Sequence, residues 1–232
     1  MDNSNQATNQ QSRYYVTVEG NIAIGKSTFI TRLREQLGAD AVVFNEPIDL
    51  WTNFKGVNLL NEMYNNPISR SFHIQSYIQL TMAIIQQTQV HPPIKVMERS
   101  LNSGRFIFTE VMRHQKHIDS IEYELLNEWF QWLDPQSLPT NQIIYLRASP
   151  EISMRRLRQR NRAEETPVTL EYLQLIHNLY EKWLSDSDIP VKVINQDQDL
   201  SETLSAADEL AEELKSKIYP HLLGNINSPK IY

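Results

Sequence analysis

The sequence predicts an α/β protein whose five-stranded parallel sheet is flanked by helices on both faces. Five short runs rich in β-branched and aromatic residues recur along the chain, and segments with the helical spacing of apolar residues separate them. This alternation favours parallel strands, because each parallel strand needs a long crossover connection, usually a helix. A glycine-rich segment at residues 20–28 stands between the first strand and the first helix, where phosphate-binding loops occur. The five predicted strands are Tyr14–Val18, Ala41–Phe44, Ile94–Met97, Gln142–Leu146 and Val191–Ile194.

The glycine-rich segment fits the phosphate-binding pattern G-x-x-x-x-G-K-[ST] at every fixed position. The strand before it and the helical pattern after it, which ends at Gly38, are the flanks that such a loop requires, so an ordinary glycine turn is the weaker interpretation. Backbone N–H groups and the positive end of the helix would converge on a phosphate. Lys26 would neutralise the β- and γ-phosphates, and Ser27 would offer its hydroxyl to Mg²⁺. The predicted nucleotide-binding residues of the loop are Gly20, Asn21, Ile22, Ala23, Ile24, Gly25, Lys26, Ser27 and Thr28.

Acidic residues follow the second and third predicted strands. Glu46 comes two residues after the second strand, and Glu98 and Arg99 come directly after the third. The carboxyl ends of parallel strands meet at one edge of the sheet, where open α/β sheets bind their ligands. Glu98 would orient Mg²⁺ through water, and Arg99 would bind a phosphate or hold a neighbouring carboxylate. The alternatives are a surface acid in a turn for Glu46 and a buried structural ion pair for the other two residues.

A long helical pattern, from about Ser69 to Gln89, precedes the third strand. Gln75, Ile78 and Met82 are spaced three and four residues apart, so they share one face of this helix. A glutamine at the head of an apolar face suggests an amide beside a flat pocket. A half-exposed glutamine at the end of a core stripe is an equally common arrangement.

An arginine-rich helix is predicted after the fourth strand. Helical spacing places Arg155, Arg158 and Arg162 on one face and Arg156 and Arg160 on another. Such clusters are usually solvated faces. This one, however, lies between a strand–helix unit and a Thr-Pro break, and this position suits a lid that closes over phosphates. The lid is predicted at about residues 155–167. The arginines predicted to bind ATP are Arg158, Arg160 and Arg162.

Length and composition are those of an ordinary globular protein. The chain has 232 residues, of which 41% are hydrophobic and 22% are charged, and its net charge is -6. The acidic balance argues against nucleic acid as the main partner. No apolar run approaches the about 20 residues of a membrane span, so no membrane partner is expected. The absence of cysteine excludes disulfides and thiolate metal sites.

We expect one domain between two tails. Residues 1–12 are rich in Asn, Gln and Ser and are predicted to be disordered. They lack the apolar core of a secretory signal and the arginines of a mitochondrial transit peptide, so a cytoplasmic protein is expected. Residues 13–218 contain no linker long enough to divide them, and residues 219–232 form a C-terminal tail without a usable pattern.

The predicted loop, strand-end acids and arginine lid together indicate phosphoryl transfer. At the acceptor end the sequence offers Glu46, which would repel an acceptor phosphate but can take the proton of a neutral hydroxyl as it attacks. An alcohol is therefore favoured as the acceptor. A GTPase is disfavoured because no guanine-reading N-K-x-D segment occurs.

These residues resemble the deoxyribonucleoside kinases, the family that contains the insect multisubstrate enzyme, mitochondrial thymidine kinase and the deoxycytidine and deoxyguanosine kinases. The resemblance extends from about Val16 to Leu184 in order, and the residues outside this range match only loosely. The stretches that carry it are Gly20–Thr28, Glu46-Pro47 with Trp51, Gly56–Tyr64, Gln75–Tyr77, Glu98–Ser100, Ile144–Arg147 with Ser149–Glu151, and Arg160–Glu165.

The resemblance implies a P-loop kinase domain that phosphorylates the 5′-hydroxyl of deoxyribonucleosides with ATP and Mg²⁺. In such a site Glu46 is the base, Arg99 holds this base and the acceptor oxygen, and Lys26 binds the phosphates. Ser27 and Glu98 serve Mg²⁺. The resemblance further implies a homodimer packed through helices and feedback inhibition by a deoxynucleoside triphosphate that occupies both substrate sites.

The resemblance also implies roles for residues around the nucleoside. Tyr64 and Glu165 bind the sugar 3′-hydroxyl, Gln75 pairs with the edge of the base, and Trp51 and Phe108 flank the base. The predicted substrate-binding residues are Trp51, Tyr64, Gln75, Ile78, Met82, Arg99, Gly104, Phe108 and Glu165.

Pyrimidines are the expected bases. The deoxycytidine and deoxyguanosine kinases have a charged pair at the positions of Met82 and Gly104, whereas these two residues leave space for a thymine methyl group. Ile74 and Asn102 replace aromatic residues of the insect enzyme and could widen the pocket enough to admit purines. The competing interpretations of the whole chain are a thymidylate-type nucleoside monophosphate kinase and a catalytically silent nucleotide-binding protein.

Overall fold

The computed structural model describes residues 13–162, 165–197 and 199–219. The predicted N-terminal tail lies outside the described residues, as does the C-terminal tail apart from Tyr219.

The sheet has the five parallel strands that the sequence predicts, in the order β2-β3-β1-β4-β5. β1 lies at the centre, where Val18 is opposite Glu98 of β3 on one side and Ile144 of β4 on the other. The chain runs from β1 to the β2 edge and later from β3 across β1 to β4, so the connections leave the centre in both directions. Ligands of open α/β sheets bind at such a reversal. The strands are β1 Tyr14–Glu19, β2 Ala41–Phe44, β3 Ile94–Glu98, β4 Gln142–Arg147 and β5 Val191–Asn195.

Helices connect the strands and extend the domain. The predicted helix from Ser69 to Gln89 is α4, which begins at Pro67 and ends at Gln87. A π-helical segment, Gly104–Thr109, joins α5 to α6. The helices are α1 Lys26–Leu37, α2 Ile48–Thr52, α3 Leu59–Asn65, α4 Pro67–Gln87, α5 Leu101–Ser103, α6 Glu110–His114, α7 Ser120–Leu133, α8 Pro150–Arg160, α9 Leu170–Ser185 and α10 Leu200–Ile218.

Both faces of the sheet are covered, as the sequence predicts. On one face, Val16 and Val18 of β1 pack with residues of α1 and α10 such as Phe29 and Leu210. On the other face, residues of β4 pack against α9 and the π segment. Strands buried on both faces explain why the β1, β3 and β4 sequences are almost continuously apolar.

The end of α4 is held by a buried lysine of the sheet. Lys95 Nζ donates hydrogen bonds to the carbonyl groups of Ile85, Gln86 and Thr88, at 2.6, 3.0 and 2.8 Å. The last carbonyls of a helix lack the usual backbone donors, so a cation there satisfies those of Gln86 and Thr88 and adds a second donor to that of Ile85, which also accepts from the N–H of Thr88. The contact ties α4, which carries the predicted base-binding residues, to strand β3.

Within the part of the chain that the structure describes, no helix is both long enough and apolar enough to cross a membrane.

Candidate active site

The two glycines of the phosphate-binding loop, Gly20 and Gly25, both have positive φ angles, which glycine adopts readily. Gly20 has a φ of +142°, and a Cβ atom there would lie 2.4 Å from the carbonyl oxygen of Leu146. Gly25 has a φ of +101° and stands at the N-terminus of α1. The loop therefore turns tightly enough for backbone N–H groups to face the carboxyl edge of the sheet.

Lys26 is buried beneath this loop. Its Nζ donates to the carbonyl oxygens of Asn21 and Gly20, at 2.7 and 3.3 Å. Asn21 is fixed in turn because its Nδ2 donates to the carbonyl of Leu173, at 2.8 Å. Desolvation by burial and the neighbouring charge of Arg99 lower the pKa of Lys26 to about 7. A phosphate at the loop would oppose both effects and favour the charged lysine.

The strand-end acids meet at the edge of the sheet, as their spacing predicts. Glu46 Oε1 lies 3.0 Å from Nε of Arg99, but this N–H is not aimed at the oxygen, so the contact is an ion pair rather than a hydrogen bond. Ser27 Oγ donates to Glu98 Oε1 at 3.3 Å, and the backbone N–H of Glu46 donates to Glu98 Oε2 at 3.4 Å. Elements far apart in sequence thus place two carboxylates, a guanidinium and a hydroxyl beside the phosphate-binding loop.

Arg99 is buried and has an unusual backbone conformation. Its φ is +62°, a left-handed conformation that costs a side-chain-bearing residue about 1–2 kcal/mol. Its Nη1 donates to the carbonyl of Gly20 at 2.9 Å and to the hydroxyl of Tyr180 at 2.7 Å, and its guanidinium lies 4.7 Å from the ring centre of Phe108. Several contacts therefore hold one strained arginine in one orientation.

Two buried residues near Arg99, Tyr180 and Glu19, were not predicted from the sequence to belong to the site. Tyr180 donates to Glu19 Oε2 at 3.1 Å, and Ser100 Oγ donates to Glu19 Oε1 at 2.6 Å. Desolvation raises the pKa of Glu19 to about 7. A signal existed for Glu19, since it is an acidic residue directly before Gly20 at the end of an apolar strand. Tyr180 lies in the apolar stripe of α9, where nothing marks it as other than core.

A single large cavity joins these groups to α4. Its volume is about 1190 Å³, above the roughly 300–1,000 Å³ typical of small-molecule sites, so it has room for two substrates. All the predicted substrate-binding residues line it, together with Lys26, Ser27, Glu46 and Glu98. Neither Ile74 nor Asn102 is among its lining residues, and Ile74 packs in a core cluster with Ile118 and Leu126.

At the α4 end, the amide of Gln75 is oriented by the π segment. Its Nε2 donates to the carbonyl of Gly104 at 2.7 Å and to Thr109 Oγ1 at 3.2 Å, whereas its buried Oε1 has no hydrogen-bond partner. A buried acceptor without a partner at the wall of a cavity is a place for a donor of a ligand. Trp51 is fixed nearby because its indole N–H donates to Thr81 Oγ1 at 3.0 Å.

The two residues expected to bind the sugar, Tyr64 of α3 and Glu165, both line the cavity. Burial raises the pKa of the Tyr64 hydroxyl, and the surrounding Tyr172, Glu165 and Glu46 raise it further. Tyr64 is therefore a neutral hydroxyl among carboxylates, suited to hydrogen bonding with an alcohol. Glu165 is held by Arg160, whose Nε donates to Glu165 Oε2 at 3.2 Å.

The predicted arginine-rich helix ends before Arg162. α8 ends at Arg160, and Asn161 takes a left-handed conformation with a φ of +52°, so Arg162 does not continue the helical face of Arg155 and Arg158. Arg160 and Arg162 line the cavity, but Arg158 lies with Arg155 in a separate shallow depression.

Arg156, rather than Arg158, is the arginine of α8 that contacts the phosphate-binding loop. The Nη1 of Arg156 donates to the carbonyl of Ile24 in the phosphate-binding loop, at 3.0 Å, and its side chain lines the cavity. Helical spacing separated Arg155 and Arg158 from Arg156 and Arg160, but it could not tell which face turns towards the loop.

Gln196 is a further lining residue that the sequence did not indicate. It follows β5 and is fully buried, its Oε1 accepts from Thr203 at 3.0 Å, and its Nε2 has no partner.

The described residues contain no group of three or more His, Asp or Glu side chains that could by themselves hold a metal ion. A site for Mg²⁺ does not need one, because this ion is usually held by one or two carboxylates, substrate phosphates and water. The oxygens of Ser27 and Glu98, 3.3 Å apart beside the loop, fit such a site.

The sequence is similar to those of known nucleoside kinases. The chain is 34% identical to human mitochondrial thymidine kinase 2 over 215 residues, covering 90% of this chain and 79% of that protein. It is 30% identical to mitochondrial deoxyguanosine kinase of Xenopus laevis over 234 residues, covering 87% and 88% of the two chains. It is also 30% identical to mouse deoxycytidine kinase over 238 residues, covering 88% and 91%. The sequence model for deoxynucleoside kinases matches residues 16–219, and the chain therefore belongs to the deoxynucleoside kinase family.

Proposed function

We propose that this nucleoside kinase transfers the γ-phosphoryl group of ATP to the 5′-hydroxyl of deoxyribonucleosides and prefers thymidine and deoxycytidine. The observation that carries this proposal is the position of Glu46. Its carboxylate is 3.0 Å from the buried charge of Arg99 and lies in the same cavity as Lys26 and the phosphate-binding loop. A general base thus stands where a nucleoside hydroxyl would meet the terminal phosphate.

The reaction follows from these positions. The carboxylate of Glu46 takes the proton of the 5′-hydroxyl as its oxygen bonds to the γ-phosphorus, and the bond from phosphorus to the β–γ bridging oxygen breaks to release ADP. Arg99 holds the carboxylate of Glu46 in place through their ion pair. Tyr64 and Glu165 would hold the 3′-hydroxyl, which fixes the sugar for the attack.

On the donor side, the loop N–H groups and Lys26 would bind the phosphates. Arg156, Arg160 and Arg162 line the same cavity and would meet the charge that develops on the transferring group. Ser27 and Glu98 would hold Mg²⁺, which when bound neutralises charge on the β- and γ-phosphates.

The preference for pyrimidines rests on the α4 end of the cavity. Met82 and Gly104 line it and carry no charge, and Gly104 has no side chain in the space beside Gln75. A thymine methyl group fits there, and its burial contributes about 0.8 kcal/mol. The unpartnered Oε1 of Gln75 can accept from N3–H of thymine or from the amino group of cytosine. Among the relatives are proteins named for thymidine and for deoxycytidine.

The thymidylate-type alternative is not favoured, because the family and the named relatives are nucleoside kinases. The decisive experiment is a phosphorylation screen with ATP and Mg²⁺ that offers the four natural deoxynucleosides and thymidine monophosphate separately. Thymidine and deoxycytidine should have the highest kcat/KM. A purine deoxynucleoside that matches thymidine would refute the base preference, and turnover of the monophosphate alone would refute the proposed acceptor.

Feedback inhibition is part of the proposal. Because one cavity joins the phosphate-binding loop to Gln75, a deoxynucleoside triphosphate could place its base at Gln75 and its phosphates at Lys26. Inhibition by thymidine triphosphate should then weaken as thymidine concentration rises. Inhibition that is independent of thymidine would contradict this geometry.

We also propose a homodimer formed through α4 and α7. An exposed stripe on α7 consists of Ile121, Leu125, Trp129 and Trp132, which follow helical spacing, and Trp132 is 67% exposed. The ring of Trp129 lies 6.2 Å from that of Phe72 on α4, which also exposes Ile68, Leu80 and Ile84. Contiguous apolar surface of this kind marks a protein interface.

The dimer is tested by light scattering coupled to a sizing column. Trp132→Glu should convert a dimer to a monomer, whereas Val193→Glu, at an exposed apolar residue of β5, should not. A wild-type monomer at micromolar concentration would contradict the proposal.

Residues 13–218 are proposed to act as one kinase domain in the cytoplasm. Fractionation of cells that express the natural protein tests its location, and recovery with mitochondria, as the names of two relatives suggest for those proteins, would contradict it.

A further inference from the structure

A buried chain of hydrogen bonds extends from Arg99 away from the cavity. Arg99 Nη1 donates to the hydroxyl of Tyr180, which donates to Glu19, and Ser100 donates to the other oxygen of Glu19. Tyr180 and Glu19 have no exposed surface, and neither is among the residues that line the cavity.

The hydrogen bonds from Arg99 through Tyr180 to Glu19 have one donor-to-acceptor direction. A guanidinium only donates, so the oxygen of Tyr180 accepts from Arg99 and the single hydroxyl hydrogen of Tyr180 is available for Glu19. The hydroxyl of Tyr180 and both carboxylate oxygens of Glu19 have partners in this arrangement, and such a buried network favours one orientation of its members.

Arg99 needs such support. Its backbone is left-handed, with a φ of +62°, and its charge is buried. The two acceptors of Nη1, the hydroxyl of Tyr180 and the carbonyl of Gly20, set the plane of the guanidinium, and in this orientation Nε lies 3.0 Å from Glu46 Oε1.

Tyr180 is itself rigid. It lies in the C-terminal half of α9 and stacks on Tyr145 of β4, with ring centres 5.5 Å apart and planes inclined by 21°. Its hydroxyl is therefore a fixed point in the core against which Arg99 is held.

We propose that Tyr180, supported by Glu19, is a positioning residue for phosphoryl transfer, because it holds Arg99 in the orientation that fixes the carboxylate of Glu46. The inference rests on the proposed function, since only a catalytic Glu46 makes its exact placement matter for turnover.

The test is Tyr180→Phe, which removes one oxygen and keeps the stacked ring. The kcat for thymidine should fall about tenfold or more, because small misplacements of a reacting group have large effects on rate, while the KM for thymidine and for ATP should change less than about threefold. Tyr145→Phe is the matched control. It removes the hydroxyl of the stacked partner, which donates to Glu181 at 2.9 Å, so its kcat should stay within about twofold of wild type.

A double-mutant cycle separates positioning from general damage. If Tyr180 acts through Glu46, Tyr180→Phe should have little further effect on kcat in a Glu46→Gln background. A purely structural role would reduce the rate by the same factor in both backgrounds.

If the wild type is active and a folded Tyr180→Phe variant has normal kcat, this inference alone is overturned. It is also overturned if the effects of Tyr180→Phe and Glu46→Gln on the activation free energy are additive. A wild type that phosphorylates no deoxynucleoside would instead overturn the proposed function. Should Tyr180→Phe fail to fold, Glu19→Gln serves in the same cycle, and additivity there would overturn the inference equally.

Discussion

Glu46→Gln removes the proposed base while keeping the shape of the side chain. The amide oxygen can still lie near Arg99, so binding of the nucleoside should change little. An amide cannot take the proton of the 5′-hydroxyl, and loss of general-base catalysis lowers kcat by ~10²–10⁴, equivalent to about 3–5 kcal/mol of barrier.

The fold should tolerate the substitution. The Glu46 side chain is 17% exposed, and Glu19 and Glu98 still lie near the buried charge of Arg99 when Glu46 is replaced. Removal of an ion-pair partner at a partly exposed position should therefore lower the melting temperature by only a few degrees.

The assay is ADP release with thymidine and ATP at saturation, beside a binding measurement by calorimetry. Glu46→Asp is the matched control, because it keeps the charge but withdraws the carboxylate by about 1.5 Å, and its kcat should lie between those of wild type and Glu46→Gln. A folded Glu46→Gln enzyme with near-normal kcat would refute the assignment of the base.

Three further predictions follow from single contacts. Gly20→Ala should abolish ATP binding, measured by calorimetry, because its Cβ would lie 2.4 Å from the Leu146 carbonyl; unchanged affinity would show that the loop can shift. Because the pKa of Lys26 is lowered to about 7 without ligand and the phosphates favour its charged form, ATP binding at pH 8 should take up close to one proton and at pH 6 almost none. Calorimetry in buffers of different protonation enthalpy measures this uptake, and equal values at both pH values would contradict the shift. Lys95→Met should lower the free energy of unfolding, measured with urea, by about 2–3 kcal/mol, since the carbonyls of Gln86 and Thr88 at the end of α4 lose their lysine donor; a loss below 0.5 kcal/mol would mean that water replaces the lysine.

The sequence by itself determined the sheet, the phosphate-binding loop and the acids beside it. These features depend on local rules: apolar runs of strand length, a fixed loop pattern, and the meeting of parallel strands at their carboxyl ends. Glu46 and Glu98 could be placed at one site without a structure because each follows a recognisable strand.

Only the tertiary structure decided which side chains support that site. Helical spacing divided the arginines of α8 into two faces, but the packing of the helix decides that Arg156, rather than Arg158, contacts the loop. Tyr180 and Glu19 are separated by 161 residues, and their hydrogen bond depends on the packing of α9 against the centre of the sheet. Local patterns carry no information about such long-range contacts, because many packings of the same helices and strands satisfy the same hydrophobic periodicity.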